Sequence, residues 1–205
     1  MINFLMKQMI IGLVGPMVSG KGDVAKYLES LGFQRQSLSD RVREESDLRG
    51  VERTRENLQD VGNDLREKFG LQVLAERTAE LLASCSGNIV IDGIRNPGEI
   101  EFLKQIYDIS IVGINAPVES RLDWYLRRAE KRGEDTATEE EFIKSNSRDY
   151  GIGEGSNGQQ VGRCLEMADI LIQNDGSKKH LIEEIEYLLI LNGFSPEGAR
   201  KSKEK

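Results

Sequence analysis

The sequence is poor in the residues that hold together disulfide-rich or zinc-binding domains. Of its 205 residues, two are cysteine, one is histidine and four are proline. The two cysteines, Cys85 and Cys164, form no C-x-x-C pair and no metal-ligand cluster, so the sequence offers neither a disulfide framework nor a zinc site. The lone histidine, His180, is expected on the surface of a helix rather than in a catalytic pair.

Long apolar runs and excess positive charge are also missing. No run reaches membrane-spanning length, and residues 1–8 are too short and too polar for a signal peptide, so we expect a cytoplasmic protein. The net charge of −7 argues against a nucleic-acid surface, which needs a broad positive field. We expect one domain over residues 1–194 and a disordered tail at 195–205, where proline, glycine and charge mix without apolar periodicity.

The apolar residues that are present fall into strand-length runs separated by helical patterns. The runs rich in isoleucine and valine predict buried strands at 9–14, 88–92, 109–115 and 169–173, with a weaker one near 33–38. Continuous apolarity indicates strands covered on both faces, as in parallel sheets. Strands alternating with helices predict a doubly wound α/β fold.

Two regions lack a strand and are interpreted as insertions. Residues 39–84 are helical throughout. Residues 127–162 are highly charged and end in a glycine-rich stretch, which predicts a movable lid or, alternatively, a loose surface loop.

A glycine-rich loop with the sequence GPMVSGKG occupies residues 15–22, between the first strand and an amphipathic helix. The spacing G-x-x-x-x-G-K in this context is typical of loops whose backbone N–H groups bind phosphate at a helix N-terminus, with the lysine following the β and γ phosphates. The loop therefore predicts ATP as the ligand. The predicted nucleotide-binding residues of this segment are Gly15, Met17, Val18, Ser19, Gly20, Lys21, Gly22 and Asp23.

The magnesium ligands are less obvious, because Gly22 replaces the hydroxyl residue that usually follows the lysine. Asp23 comes next, and its carboxylate could cap the helix, approach Mg²⁺ or repel the phosphates. Asp92 ends the 88–92 strand at the sheet edge where ligands bind, as a magnesium aspartate requires. We predict Asp92 and Asp23 as the metal-binding residues.

Arginines near the predicted strand ends and on the helix after Pro117 suit phosphate chemistry. Arg128 and Arg132 lie on one side of that helix together with Arg121, and are predicted to close over the transferring phosphate; a salt-bridged exposed helix is the alternative. Arg95 follows Asp92 on the loop and is predicted to bind phosphate.

Residues 9–190 resemble adenylate-kinase-like P-loop kinases, with the motifs in the same order. G-K-G in the loop, S-L-S-D-R-V-R at 37–43 and D-G-I-R at 92–95 are similar to the phosphate loop, acceptor segment and aspartate-arginine signature of that group. The group includes nucleoside and deoxynucleoside monophosphate kinases, dephospho-coenzyme A kinases and archaeal relatives; the archaeal relatives share the I-D-G-I-R stretch and the N-x-G-S turn. Asp23 departs from the pattern, since adenylate kinases have threonine there, and the proline of the signature is displaced to Pro97.

The resemblance implies a P-loop NTPase three-layer fold with a mainly parallel five-stranded sheet, a helical acceptor-binding insertion and a lid insertion. It also implies ATP and Mg²⁺ as cofactors and an acceptor phosphate gripped by arginine. The residues that it assigns to acceptor binding are Ser39, Asp40, Arg43 and Arg95, and those that it places beside the adenine are Asn174 and Gly176.

The function expected from these residues is transfer of the γ-phosphoryl group of ATP to a nucleotide-like acceptor, most readily a nucleoside or deoxynucleoside monophosphate. The predicted catalytic residues are Lys21, Arg95, Arg128 and Arg132. A dephospho-coenzyme A kinase-like enzyme, a nucleotide sensor without efficient turnover and a simple nucleotide hydrolase remain alternatives. We expect a small-molecule nucleotide partner, no nucleic acid, no membrane, and a monomer or homodimer.

Overall fold

A five-stranded parallel sheet organises the described part of the protein. A computed structural model describes residues 8–132 and 137–203. The strands are β1 Ile10–Val14, β2 Gln34–Ser37, β3 Ile89–Ile94, β4 Ile109–Asn115 and β5 Ile170–Gln173. They lie in the order β2-β3-β1-β4-β5, and every neighbouring pair is parallel. The predicted fold class is confirmed, including the weak fifth strand.

Helices cover both faces of this sheet. They are α1 Lys21–Ser30, α2 Leu38–Leu48, α3 Arg55–Phe69, α4 Val73–Leu82, α5 Pro97–Ile106, α6 Val118–Arg132, α7 Glu139–Asp149, α8 Val161–Glu166, α9 Lys178–Leu191 and α10 Pro196–Lys203. One apolar cluster joins the sheet to α2, α3, α4, α5 and α8, and a second joins it to α1 and α9. Along β1, Ile10 and Val14 enter the first cluster while Ile11 and Leu13 enter the second. Strands buried on both faces explain why their sequences are continuously apolar.

The connections leave a crevice at the carboxyl end of β1. The chain leaves β1 for α1 and β2 on one side of the sheet, whereas β4 and β5 extend the sheet on the other. Such a reversal of strand order separates the loops after neighbouring strands and opens a ligand crevice between them. The glycine-rich loop at 15–20 and Asp92, near the end of β3, both lie at this edge.

The two predicted insertions contain different elements. Residues 39–84 form α2, α3 and α4, in line with the helical prediction. Residues 127–162 contain the end of α6, all of α7 and the glycine-rich segment, and residues 133–136 of this insertion lie outside the described residues.

Within the predicted tail at 195–205, Pro196–Lys203 form α10. Ser195 accepts a hydrogen bond from Gly198 N through its hydroxyl, and Arg200 donates to the hydroxyl of Tyr27 on α1. The helix is too short to show apolar periodicity, and contacts to the domain stabilise it. Residues 204–205 lie outside the described part, in which no helix combines the length and apolarity needed to cross a membrane.

Candidate phosphate-binding and acceptor site

The glycine-rich loop takes a conformation that ordinary side chains disfavour. Gly15 has φ 149°, Gly20 has φ 102° and Val18 has φ 59°, which is unusual for a β-branched residue. A Cβ atom on Gly15 would lie 2.1 Å from the carbonyl oxygen of Ile114, so the loop passes too close to β4 for any larger residue. Strain of this kind persists where the surrounding structure holds it, which is common at ligand-binding loops.

Lys21 begins α1 and turns back into the loop. Its Nζ donates to the carbonyl oxygens of Gly15 and Pro16, at 2.6 Å and 2.7 Å. Burial, reinforced by the nearby charge of Arg95, lowers the pKa of Lys21 to about 8, although the carboxylates of Asp149 and Asp92 oppose the change. The ammonium is thus held in a site that lacks enough negative charge, as expected where phosphate is to bind.

The carboxylate of Asp149, at the end of α7, is the centre of this site. It is fully buried, and its Oδ2 accepts a hydrogen bond of 2.7 Å from Met17 N in the glycine-rich loop. Its Oδ1 pairs with Arg95 and lies 3.8 Å from Nη2 of Arg55. Burial alone would raise the pKa of Asp149, but Arg95, Arg55, Lys21 and the Met17 amide together hold it below its usual value.

Arg121 has a structural role that differs from the prediction. Its side chain is 2% exposed, and its guanidinium donates to Ala116 O, Met17 O and Asn146 Oδ1. It therefore supports the glycine-rich loop from beneath. The sequence of α6 does not reveal this supporting role, because buried and exposed arginines can occur at the same helical spacing.

The predicted metal-binding residues have different surroundings. Asp92 is largely buried, with Oδ1 accepting from Gly93 N and Oδ2 accepting from Arg35, and its charge acts on Lys21. Asp23 instead pairs with Lys178 at the surface, at 2.8 Å. The described residues hold no cluster of three or more His, Cys, Asp or Glu side chains suited to a metal. Since Mg²⁺ on a nucleotide usually takes one or two carboxylates with phosphate oxygens and water, the single carboxylate of Asp92 fits it.

A cavity of about 230 Å³ opens beside the glycine-rich loop, between α2, α3 and the end of β3. Three of the predicted acceptor-binding residues, Ser39, Arg43 and Arg95, line it. Asp40, the fourth, lies outside this lining and accepts a hydrogen bond from Arg43. The arginines that line the cavity are Arg43, Arg53, Arg55, Arg66 and Arg95. Such a concentration of guanidinium groups suits an acceptor that carries phosphate.

The glycine-rich segment after α7 is anchored to the rest of the domain. Asn96, which is fully buried, donates from its side chain to the carbonyls of Ser156 and Gly158 at 2.8 Å and 2.9 Å. Gln160 N donates to Arg95 O at 2.7 Å, and Gln159 lines the cavity. Residues 156–160 are therefore anchored by these hydrogen bonds, and Gln159 forms part of the cavity wall.

The turn after β5 is fastened to the glycine-rich loop. Asn174 is buried, donates from its amide to Ser19 O at 3.0 Å, and accepts from Gly176 N. A Cβ atom on Gly176 would lie 3.3 Å from the ring of Trp124, so this side chain of α6 packs beside the turn. Asn174 thus connects the end of β5 to the glycine-rich loop, and Gly176 holds the side chain of Asn174 in place.

The structure brings together only part of the predicted catalytic set. Lys21 and Arg95 lie at the centre of the site, whereas Arg128 is exposed on α6 and the side chain of Arg132 lies outside the described residues. Sequence reasoning missed Asp149 and Arg55. The available signals were weak: Arg55 follows Thr54, a residue type that commonly caps helices, and Asp149 ends a charged segment beside Tyr150.

Comparisons with known proteins agree with this architecture. Residues 14–143 match the model of a family described as an AAA domain. A UPF0200 protein of Pyrococcus abyssi is 30% identical over 187 residues, 88% of this chain and 95% of the relative, and one of Hyperthermus butylicus is 33% identical over 183 residues, 89% and 94%. A UPF0200/UPF0201 protein of Archaeoglobus fulgidus is 33% identical over 192 residues, 91% of this chain, but the chain spans only 56% of that longer protein.

Solved structures share the fold at low sequence identity. The crystal structure of TT1252 from Thermus thermophilus has a TM-score of 0.58 at 19% identity, over 89% of this chain and 97% of its own. Shikimate kinase from Acinetobacter baumannii, in complex with shikimate, has a TM-score of 0.55 at 22% identity, over 92% and 97%. Together with the family match, these structures bear out the resemblance to adenylate-kinase-like P-loop proteins.

Proposed function

The chain belongs to the AAA domain family and to the UPF0200 proteins. From this premise we propose that it is an ATP-dependent kinase acting on a small nucleotide-like acceptor. The preferred acceptor is a nucleoside or deoxynucleoside monophosphate. The single observation that carries the proposal is the arginine-lined cavity that opens beside the glycine-rich loop and shares Arg95 with the charge centre at Asp149.

In the proposed reaction an oxygen of the acceptor phosphate bonds to the γ-phosphorus of ATP. The bond from that phosphorus to the β–γ bridging oxygen breaks, and its electron pair leaves with ADP. The acceptor phosphate is already ionised near neutral pH, so the transfer needs no general base on this chain. Positioning and charge neutralisation are therefore the protein's contribution.

Different residues are proposed to bind the nucleotide, the acceptor and the metal ion. The loop amides and Lys21 hold the β and γ phosphates of ATP, and Arg43 with Arg95 orients the acceptor phosphate in the cavity. Asp92 is the proposed ligand of Mg²⁺, which, when bound, neutralises charge on the phosphate oxygens. The turn at Asn174 and Gly176 is proposed to contact the adenine.

The decisive experiment is a coupled ADP-release assay with ATP, Mg²⁺ and a panel of nucleoside monophosphates, deoxynucleoside monophosphates and dephospho-coenzyme A. We expect one class of monophosphate to stimulate ADP release, and Lys21→Ala to abolish that release. Stimulation by dephospho-coenzyme A alone would show that dephospho-coenzyme A, rather than a nucleoside monophosphate, is the acceptor. Phosphate release that no acceptor alters would indicate a hydrolase and contradict the proposal.

A sensor that binds nucleotide without turnover receives less support from the site. The sensor hypothesis depends on the negative charge of Asp23 beside the phosphates, and Lys178 offsets that charge at 2.8 Å. In a kinase, Asp23→Thr should leave the rate of acceptor-stimulated ADP release unchanged or higher. Tight ATP binding with no release in either variant would favour the sensor.

A further inference from the structure

Arg55 differs from the other arginines around the acceptor cavity in its partners. Each of the others hydrogen-bonds a carboxylate: the pairs are Arg43 with Asp40, Arg53 with Asp47, Arg66 with Glu99 and Arg95 with Asp149. The nearest carboxylate oxygen of Arg55 is Asp149 Oδ1 at 3.8 Å, too far for a hydrogen bond. Its Nε is buried and has no hydrogen-bond partner within the described residues.

A buried N–H group without a hydrogen-bond partner is costly, so the Nε of Arg55 is expected to persist in this state only where a ligand completes its hydrogen bond. Arg55 keeps 38% of its side-chain surface accessible and lines the cavity, so an incoming anion can reach it. Burial, together with the charge of Arg95, lowers the pKa of Arg55, although the guanidinium stays protonated. The nearest carboxylate, that of Asp149, opposes this change but is already paired with Arg95.

The position of Arg55 indicates which anion would complete its hydrogen bonds. The Asp149 carboxylate contacts the glycine-rich loop at Met17 N, pairs with Arg95 and has Arg55 as its next nearest cation. Lys21 acts on the same carboxylate from the side of the loop. Arg55 thus lines the acceptor cavity next to the carboxylate that contacts the glycine-rich loop.

Resting on the proposed function, we propose that Arg55 is a catalytic residue that binds the phosphoryl group in transfer between ATP and the acceptor. As the bond to the acceptor oxygen forms and the bond to the bridging oxygen of ADP breaks, charge spreads over the three equatorial oxygens of the phosphoryl group. The Nε of Arg55, which has no partner, and its Nη2, which lies 3.8 Å from Asp149, offer this group a planar pair of donors. The neutralising charge predicted from Arg128 and Arg132 of the lid is assigned instead to the start of α3.

A mimic of the transferring group tests this without knowledge of the acceptor. ADP with Mg²⁺ and aluminium fluoride reproduces a planar phosphoryl group beside ADP, and the fluorescence of Trp124, the chain's single tryptophan, follows binding. We expect aluminium fluoride to tighten ADP binding to the wild-type protein, and Arg55→Ala to reduce this tightening at least about tenfold. ADP alone should bind both proteins equally, which also shows that Arg55→Ala is folded.

Two further variants separate catalysis from structure. Arg55→Lys keeps the charge without the planar donor pair and should restore part of the tightening. Arg49→Ala removes a surface arginine that pairs with Glu45 and Asp64 and should bind both ligands as the wild type does. In the acceptor assay, Arg55→Ala should lower kcat by about 10³-fold, with a smaller change in KM.

The proposal is overturned if Arg55→Ala keeps the tightening by aluminium fluoride, or if the variant raises only the KM of the acceptor. Absence of any tightening in the wild type, while ADP still binds, also overturns it. Failure of the proposed kinase function has a different signature, since no acceptor would then stimulate ADP release.

Discussion

At the scale of single residues, the site is governed by charges that the domain does not fully balance. Lys21, Arg55 and Arg95 surround the buried carboxylate of Asp149, and Asp92 adds the charge of a second carboxylate. Excess positive charge opposes folding in the absence of ligand, and a bound phosphate relieves it. This balance makes both nucleotide affinity and stability depend on pH.

ATP affinity should fall as the pH rises through about 8. The pKa of Lys21 is lowered to about 8, first by burial, so the lysine is largely charged below this pH and largely neutral above it. Bound phosphates favour the charged form, and affinity should drop by up to about tenfold per pH unit above pH 8. Trp124 fluorescence measures the ATP affinity at each pH. The Lys21→Met variant should bind ATP weakly, with an affinity that does not fall above pH 8. Constant wild-type affinity between about pH 7 and 10 would contradict the role of Lys21.

Asp149→Asn should destabilise the protein by about 3 kcal/mol at pH 7, because Arg95 loses the partner of a buried ion pair. Urea unfolding measures the change. The exposed pair of Asp123 with Arg127 supplies the control, and Asp123→Asn should cost less than about 0.5 kcal/mol.

The same carboxylate predicts acid sensitivity. The folded pKa of Asp149 is held below its ordinary value, so its contribution is fully present above about pH 4 and is lost as the pH falls through the folded pKa. The stability difference between wild type and Asp149→Asn should therefore shrink below pH 4. A difference independent of pH would argue that Asp149 acts by packing rather than by charge.

At the scale of elements, two glycines at the start of α1 have opposite conformational requirements: Gly20 precedes the helix and Gly22 lies within it. Gly20 has φ 102°, and its Cβ would lie 2.6 Å from the side-chain amide of Asn174. Gly22 lies within the helix, and its Cβ would meet nothing within 4 Å.

These two positions form a matched pair of substitutions. Gly20→Ala should lower the free energy of unfolding by more than about 1 kcal/mol, because alanine cannot take the positive φ without strain. Gly22→Ala should raise it by up to about 1 kcal/mol through helix propensity. Thermal or urea unfolding of both variants measures this, and equal effects would show that the start of α1 is more adaptable than its geometry indicates.

The lid insertion should move only in part when nucleotide binds. Its end is held by Asn96 and by the bond from Gln160 N to Arg95 O, whereas α7 meets the nucleotide loop through Asp149. We expect hydrogen exchange measured by mass spectrometry to change on ATP addition within 137–149, with residues 156–160 equally protected in both states. Unchanged exchange in 137–149 would count against a lid.

At the scale of the whole molecule, the sequence alone determined the layers and the nucleotide loop. Continuous apolar runs predict strands buried on both faces, and the spacing of Gly15, Gly20 and Lys21 carries the loop chemistry, because both signals are local. Of the residues predicted to bind the acceptor, Ser39, Arg43 and Arg95 line one cavity, and their binding role stays a prediction.

Only the tertiary structure decided which charges meet. Asp149 lies 132 residues from the Met17 amide that it binds, and Arg55 lies 40 residues from Arg95 in the same cavity. Arg121 and Arg128 share one helix, yet the first is buried under the loop and the second is exposed. Charged residues on a helix look alike in sequence, because burial and pairing depend on the elements packed against them. The charge balance of the site is therefore a property of the fold.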